Sequence, residues 1–112
     1  QALRPLAMGW LKAVNASHGG QELDLAEAMN RQGMPESVLR VLRSLLSDLL
    51  AIDAACDDED LTHRDRTEEL RGLVSLDPLA MAEVLDTAAA ALRRNVSLIS
   101  ILIATARGEK LT

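Results

Sequence analysis

The side chains that could do chemistry fall in a few short stretches. The run 57-DDED-60 sets four carboxylates side by side, the ligand type that a hard divalent cation prefers. A calcium loop, however, alternates its ligands and needs a glycine at the sharp turn and a distal glutamate, and that spacing is missing here. A solvated acidic loop is the plainer reading. His63-Arg64-Asp65 has the letters of a kinase catalytic loop, but the chain lacks the glycine-rich loop and the length that a kinase needs. The tail 108-GEKLT-112 contains Gly, Lys and Thr without the adjacent Lys-Ser/Thr pair that closes a phosphate-cradling loop. His18, between Ser17 and Gly19, reads as an exposed residue at a helix end. With one other histidine in the chain, it has no partners for a metal site or a triad. Cys56 is the single cysteine, which forbids an internal disulfide and cannot alone make a zinc site. Four acids follow it and no cation adjoins it, a setting that disfavours the reactive thiolate, so it is expected to be inert. No catalytic, cofactor-binding or metal residue is assigned, and no cofactor is expected.

A second group of residues is of the kind that meets other proteins. Trp10 is the only aromatic side chain. Core packing is the first expectation for it, and a contact with a partner is the second, because tryptophan is enriched at binding hot spots. Arg40 and Arg43 belong to a polar stripe on a long helix and are expected to be solvated or paired with a neighbouring subunit. Arg93, Arg94 and Asn95 precede the uncharged segment Val96 to Ala106. The arginines suit a helix C-terminus, where the backbone dipole favours cations. Together Trp10, Arg40, Arg43, Arg93, Arg94 and Asn95 are the candidate subunit-interface residues.

Composition bounds what can position these groups. A chain of 112 residues, 48% hydrophobic and 26% charged, is long enough for one core without metals or disulfides. With one Trp and neither Phe nor Tyr, that core must be aliphatic, which favours helices over strands. A net charge of −5 argues against direct nucleic-acid binding through the overall field. No run approaches the ~18 apolar residues of a membrane span, and no secretory leader opens the chain. A cytoplasmic protein is expected, with no membrane and no small-molecule substrate. Because the sequence starts at Gln1 inside helical-looking residues, we expect residues 1–112 to be a single helical domain, the C-terminal part of a longer chain.

The apolar periods place the elements. Leu6, Trp10, Leu11 and Val14 follow Pro5 at helical spacing, and Gly19-Gly20 is the expected end of that helix. Residues 22–33 predict a second helix, with Leu23, Ala26 and Met29 or Asn30 inward and Gly33 as the stop. The strongest signal is 35-PESVLRVLRSLLSDLLAIDAAC-56: Glu36, Arg40, Arg43 and Ser47 make one narrow polar stripe, and aliphatic residues cover most of the remaining circumference. Such a helix is normally central, so this one should be the spine. Residues 57–66 read as a solvated linker, and Thr67 as the cap of a short helix through Val74 with Leu70, Leu73 and Val74 inward. Asp77 and Pro78 predict the N-cap and first residue of a helix reaching Asn95. The final apolar segment has no strand partner elsewhere, which predicts a helix. The expected fold is all-α, a compact bundle of five or six helices.

In order along the chain, 42-LRSLLSDLLAID-53, the charged connection and 79-LAMAEVLDTAAAALRRNVSLISILIATA-106 resemble the C-terminal collar domain of the delta-prime subunit of the bacterial DNA polymerase III clamp loader. Asp48-Leu49-Leu50 match the family's Asp-Leu-Leu, and Arg94-Asn95 with Leu98 and Leu102 match its polar break and last apolar helix. Leu23-Asp24-Leu25-Ala26-Glu27 are compatible upstream. Ser47 stands where the family often has Arg, and Val96-Ser97-Leu98 follow Asn95 where it often has a second Asn and a Pro. The resemblance implies a non-catalytic domain whose partners are the other loader subunits, delta and gamma/tau, with nucleotide hydrolysis in N-terminal modules outside these residues. The alternatives that remain open are a free-standing helical adaptor that holds a peptide or partner helix and, more remotely, a small helical enzyme.

Overall fold

Helix ends in this chain are set largely by local hydrogen-bond chemistry. The computed structural model describes residues 3–55 and 57–109, and these form six α-helices: α1 (Leu3–Asn15), α2 (Gly19–Gln32), α3 (Pro35–Asp53), α4 (Thr67–Arg71), α5 (Pro78–Arg93) and α6 (Leu98–Arg107). No strand occurs among the described residues. The all-α bundle predicted from the sequence is what the chain forms. Asp77 caps α5 by accepting from the Ala80 N–H at 3.1 Å, and Pro78 takes the first helical position, where a missing N–H does no harm. Ser97 caps α6 in the same way, its hydroxyl accepting from the Ser100 N–H at 3.1 Å. The uncharged terminal segment is therefore a helix, as its lack of a strand partner predicted.

Four of the described helices are followed by a left-handed residue, and at three of them later N–H groups are seen turning back onto the last carbonyls. At α5 the residue is Asn95 (φ 65°): its N–H reaches the Leu92 carbonyl and the Val96 N–H reaches Ala91, each at 3.0 Å. Gly108 does the same for α6 at φ 65°, with Glu109 N–H on Ala104 at 2.9 Å. At α1 the turn is made by Ser17 (φ 58°), with the His18 N–H on Ala13 at 3.0 Å. This corrects the expectation for Gly19-Gly20. The turn is complete before they are reached, so the two glycines open α2 instead of closing α1. Ala55 also sits at φ 58° just beyond α3, so the spine helix stops at Asp53, short of the expected residue 56. Cys56 itself lies outside the described residues, as does the end of the 108–112 stretch.

The spine expectation for α3 holds. Val38, Leu42, Leu45, Leu46 and Leu49 are all buried, and α3 packs against α1, α2, α4 and α5. Trp10, Leu11, Met29, Leu70, Ile101 and Leu102 complete the core, and a fully buried aliphatic side chain of this kind stabilises the fold by about 1.5–3 kcal/mol. Gly33 ends α2 as predicted and also lets Leu3 lie against the backbone: a Cβ there would stand 2.8 Å from Leu3 Cδ1. Two inward assignments fail. Leu23 is 44% exposed and Val74 is 82% exposed, because α4 ends at Arg71 and the chain has left helical register before Val74. The expected solvated linker is also more ordered than its polarity suggests, with Asp58–Asp60 and Arg64–Arg66 forming single 3₁₀ turns around buried Leu61 and His63. Among the described residues no helix is long and apolar enough to cross a membrane.

The left-handed turns at Ser17 and Ala55 place a Cβ where only glycine is free of steric cost. Ser17→Gly and Ala55→Gly should each stabilise the protein by about 0.5–1 kcal/mol. The check is urea unfolding with a raised midpoint and an unchanged m value.

Candidate functional site

The densest polar constellation lies where α3 meets the connection that follows it. At 3.6 residues per turn, Ser44 and Asp48 lie roughly 80° and 120° around α3 from the start of the Glu36–Arg40–Arg43–Ser47 stripe. They form a second polar edge on a helix that the sequence showed with one. The Asp48 carboxylate is 4% exposed and accepts from two backbone groups, the Thr62 N–H at 3.0 Å and the His63 N–H at 2.6 Å. Ser44 Oγ donates to the Val41 carbonyl at 2.9 Å and lies 2.7 Å from His63 Nε2. With the hydroxyl proton committed to Val41, the network assigns the ring proton to Nε2, which donates to Ser44. His63 Nδ1 is then a buried acceptor with no hydrogen-bond partner among the described residues.

Serine, histidine and aspartate are the letters of a hydrolytic triad, but the wiring differs. In a triad the carboxylate receives Nδ1–H and the hydroxyl proton points at the imidazole. Here the carboxylate receives main-chain N–H groups and the hydroxyl proton goes to a helix carbonyl. These contacts form a clasp that seats residues 61–63 on α3, with Leu61 buried beside it. Sequence reasoning missed it. The available signal was an aspartate one turn after a serine on the leucine-covered side of α3, where a carboxylate needs donors to be buried.

Beyond the clasp, ion pairs tie the connection and α4 to α1. Arg4 grips Asp65 with two hydrogen bonds, at 2.7 and 3.1 Å, and Lys12 pairs with Glu69, which also accepts from Arg66 at 2.8 Å. Hydrogen bonding from the Arg4 guanidinium holds the Asp65 carboxyl below its usual range, and Lys12 followed by Arg66 does the same for Glu69. Both groups are near the surface, so each pair contributes little.

The candidate interface residues separate into different environments. Trp10 is 1% exposed and belongs to the core, the first of its two expected roles. Arg43 bonds Asp86 of α5 at 2.9 Å and Ser47 at 2.6 Å, and its side chain stays 38% exposed. Arg40, Arg93, Arg94 and Asn95 are exposed, the last three together at the α5–α6 corner. His18 is exposed at the start of α2, as expected for a helix-end residue.

A groove absent from the sequence reading runs between α1, α2 and α6. Trp10 and Leu102 line it, Leu23 and Ile103 stand exposed in its walls at 44% and 43%, and its volume is about 280 Å³. Glu22 contributes from the first turn of α2 and Arg107 from the last turn of α6. No protein-family model, curated protein or solved structure matches the chain.

Asp48→Ala would strand the Thr62 and His63 N–H groups and should cost about 2–3 kcal/mol in urea unfolding. Loss of under half a kcal/mol would mean that residues 61–63 need no clasp. A second expectation concerns pH. Because the Asp65 and Glu69 carboxyls are held below their ordinary values, their stabilisation is fully present above pH ~5 and is lost as pH falls through their folded-state pKa values. Glu69→Gln should flatten the acid limb of the stability profile below pH ~5, measured by urea midpoints.

Proposed function

We propose that the chain is a non-catalytic assembly module, the collar domain of a DNA replication clamp-loader subunit, joined to its sister subunits by helix–helix contacts. One observation carries this reading: the polar residues on which the clamp-loader resemblance rests do defined work in the bundle. Asp48, from Asp48-Leu49-Leu50, is the carboxylate that clasps the charged connection to the spine. Asn95, from the Arg94-Asn95 break, makes the left-handed turn between the last two long helices, a conformation asparagine tolerates better than most residues. Leu98 and Leu102 on the following helix are buried.

On this reading the parent complex supplies ATP hydrolysis elsewhere, and this domain contributes adhesion. Its partners are the delta and gamma/tau subunits. A second reading is a free-standing helical adaptor, and the groove at Trp10 is the observation that favours it.

The two readings part in one experiment. The purified chain, mixed with delta and gamma/tau from the same source, should co-elute with them on size exclusion and hydrolyse no ATP alone. Elution as a separate peak at micromolar concentrations of every component would overturn the collar assignment and leave the adaptor.

A further inference from the structure

We infer that Met34, at the corner between α2 and α3, is a reversible oxidation site: hydrogen peroxide converts its thioether to the sulfoxide while the folded bundle shields the other methionines. The chain has four methionines. Met8, Met29 and Met81 are 3%, 0% and 2% exposed in the core, and Met34 is 69% exposed. A thioether reacts through a lone pair on sulfur, so peroxide must touch the sulfur, and burial decides which sulfurs it can touch. It meets the core sulfurs only when the bundle opens, whereas the native fold itself presents Met34.

The local structure also leaves that side chain free to change. Met34 precedes Pro35 in extended backbone (φ −69°, ψ 145°) and holds the start of α3 through its main chain. Its carbonyl accepts from the Ser37 N–H at 3.0 Å and the Val38 N–H at 3.1 Å, and its side chain makes no capping hydrogen bond. In the reaction the sulfur lone pair attacks one peroxide oxygen, the O–O bond breaks as the S–O bond forms, and the second oxygen leaves as hydroxide. That hydroxide takes the proton from the new S–OH and departs as water, so sulfur gives up two electrons and peroxide receives them. In the core the resulting S–O dipole would need a hydrogen-bond donor. At the corner water solvates it, and α3 keeps its start. Because the sulfoxide stays exposed, methionine sulfoxide reductases reach it and return the thioether.

The test treats the whole folded chain with dilute hydrogen peroxide and follows oxygen uptake by peptide mass spectrometry, which separates each methionine from Cys56, the chain's other sulfur-bearing residue. Met34 should gain one oxygen on the order of a hundredfold faster than Met8, Met29 or Met81. The singly oxidised protein should keep its circular dichroism and its urea midpoint, and should lose the oxygen to the two methionine sulfoxide reductases, one for each sulfoxide epimer. Met34→Leu, a change at an exposed position, should remove the fast uptake without speeding the other three. Asp48→Ala, which loosens the fold, should speed oxidation of the core methionines by roughly tenfold or more and leave the Met34 rate unchanged. Equal rates at all four methionines, a Met34 rate that rises with Asp48→Ala, a lowered midpoint on oxidation of Met34, or a sulfoxide that the reductases do not reverse would each overturn the inference.

Discussion

A carboxylate buried on a leucine-rich helix must find hydrogen-bond donors, and the arrangement of this protein's middle section follows from how Asp48 finds them. An unpaired buried charge costs several kcal/mol, so α3 could not be central unless something donated to that position. Thr62 and His63 do so with backbone N–H groups, which draws the connection down onto the spine and buries Leu61. Once residues 61–63 are seated, Asp65 lies within reach of Arg4 and Glu69 within reach of Lys12. Those pairs bridge α4 and the turn before it to α1, while α4 packs on α3. The chain then reaches the start of α5 through Ser75, whose N–H is held by Asn15 at 2.8 Å.

Around that clasp the bundle is built with almost no aromatic material. Aliphatic side chains from alanine to leucine and methionine fill the core around Trp10, and α3 supplies them on several sides at once. The ends of the helices are correspondingly specific. Asp77 and Ser97 satisfy orphan N–H groups, while Ser17, Asn95 and Gly108 turn the chain so that later N–H groups reach the last carbonyls. Short connections between α1 and α2 and between α5 and α6 are possible because each turn is made within two or three residues.

The charged groups divide into two populations. Arg4, Lys12, Arg43 and Arg66 pair with acids of the same chain and serve its architecture. Arg40, Arg93 and Arg94 stand exposed, and Glu22 and Arg107 border the apolar groove. Internal pairs hold the shape, and the surface left over has an apolar recess bordered by two charges of opposite sign.

Local residue order was enough for the all-α class, the central place of α3, the Asp77-Pro78 start of α5, the break at Asn95 and the burial of Leu70 and Leu73. Each of these depends on residues within one or two helical turns, where spacing and capping chemistry act directly. Tertiary structure decided the rest. Gly19-Gly20 looked like a stop until Ser17 proved to make the turn, Leu23 looked inward until α6 left its wall of the groove open, and Arg43 had no visible partner within the chain until Asp86 met it. The Asp48 clasp was hidden for the same reason: its partners lie 14 and 15 residues along the chain, and no local period reports which distant backbone groups will come to a buried carboxylate.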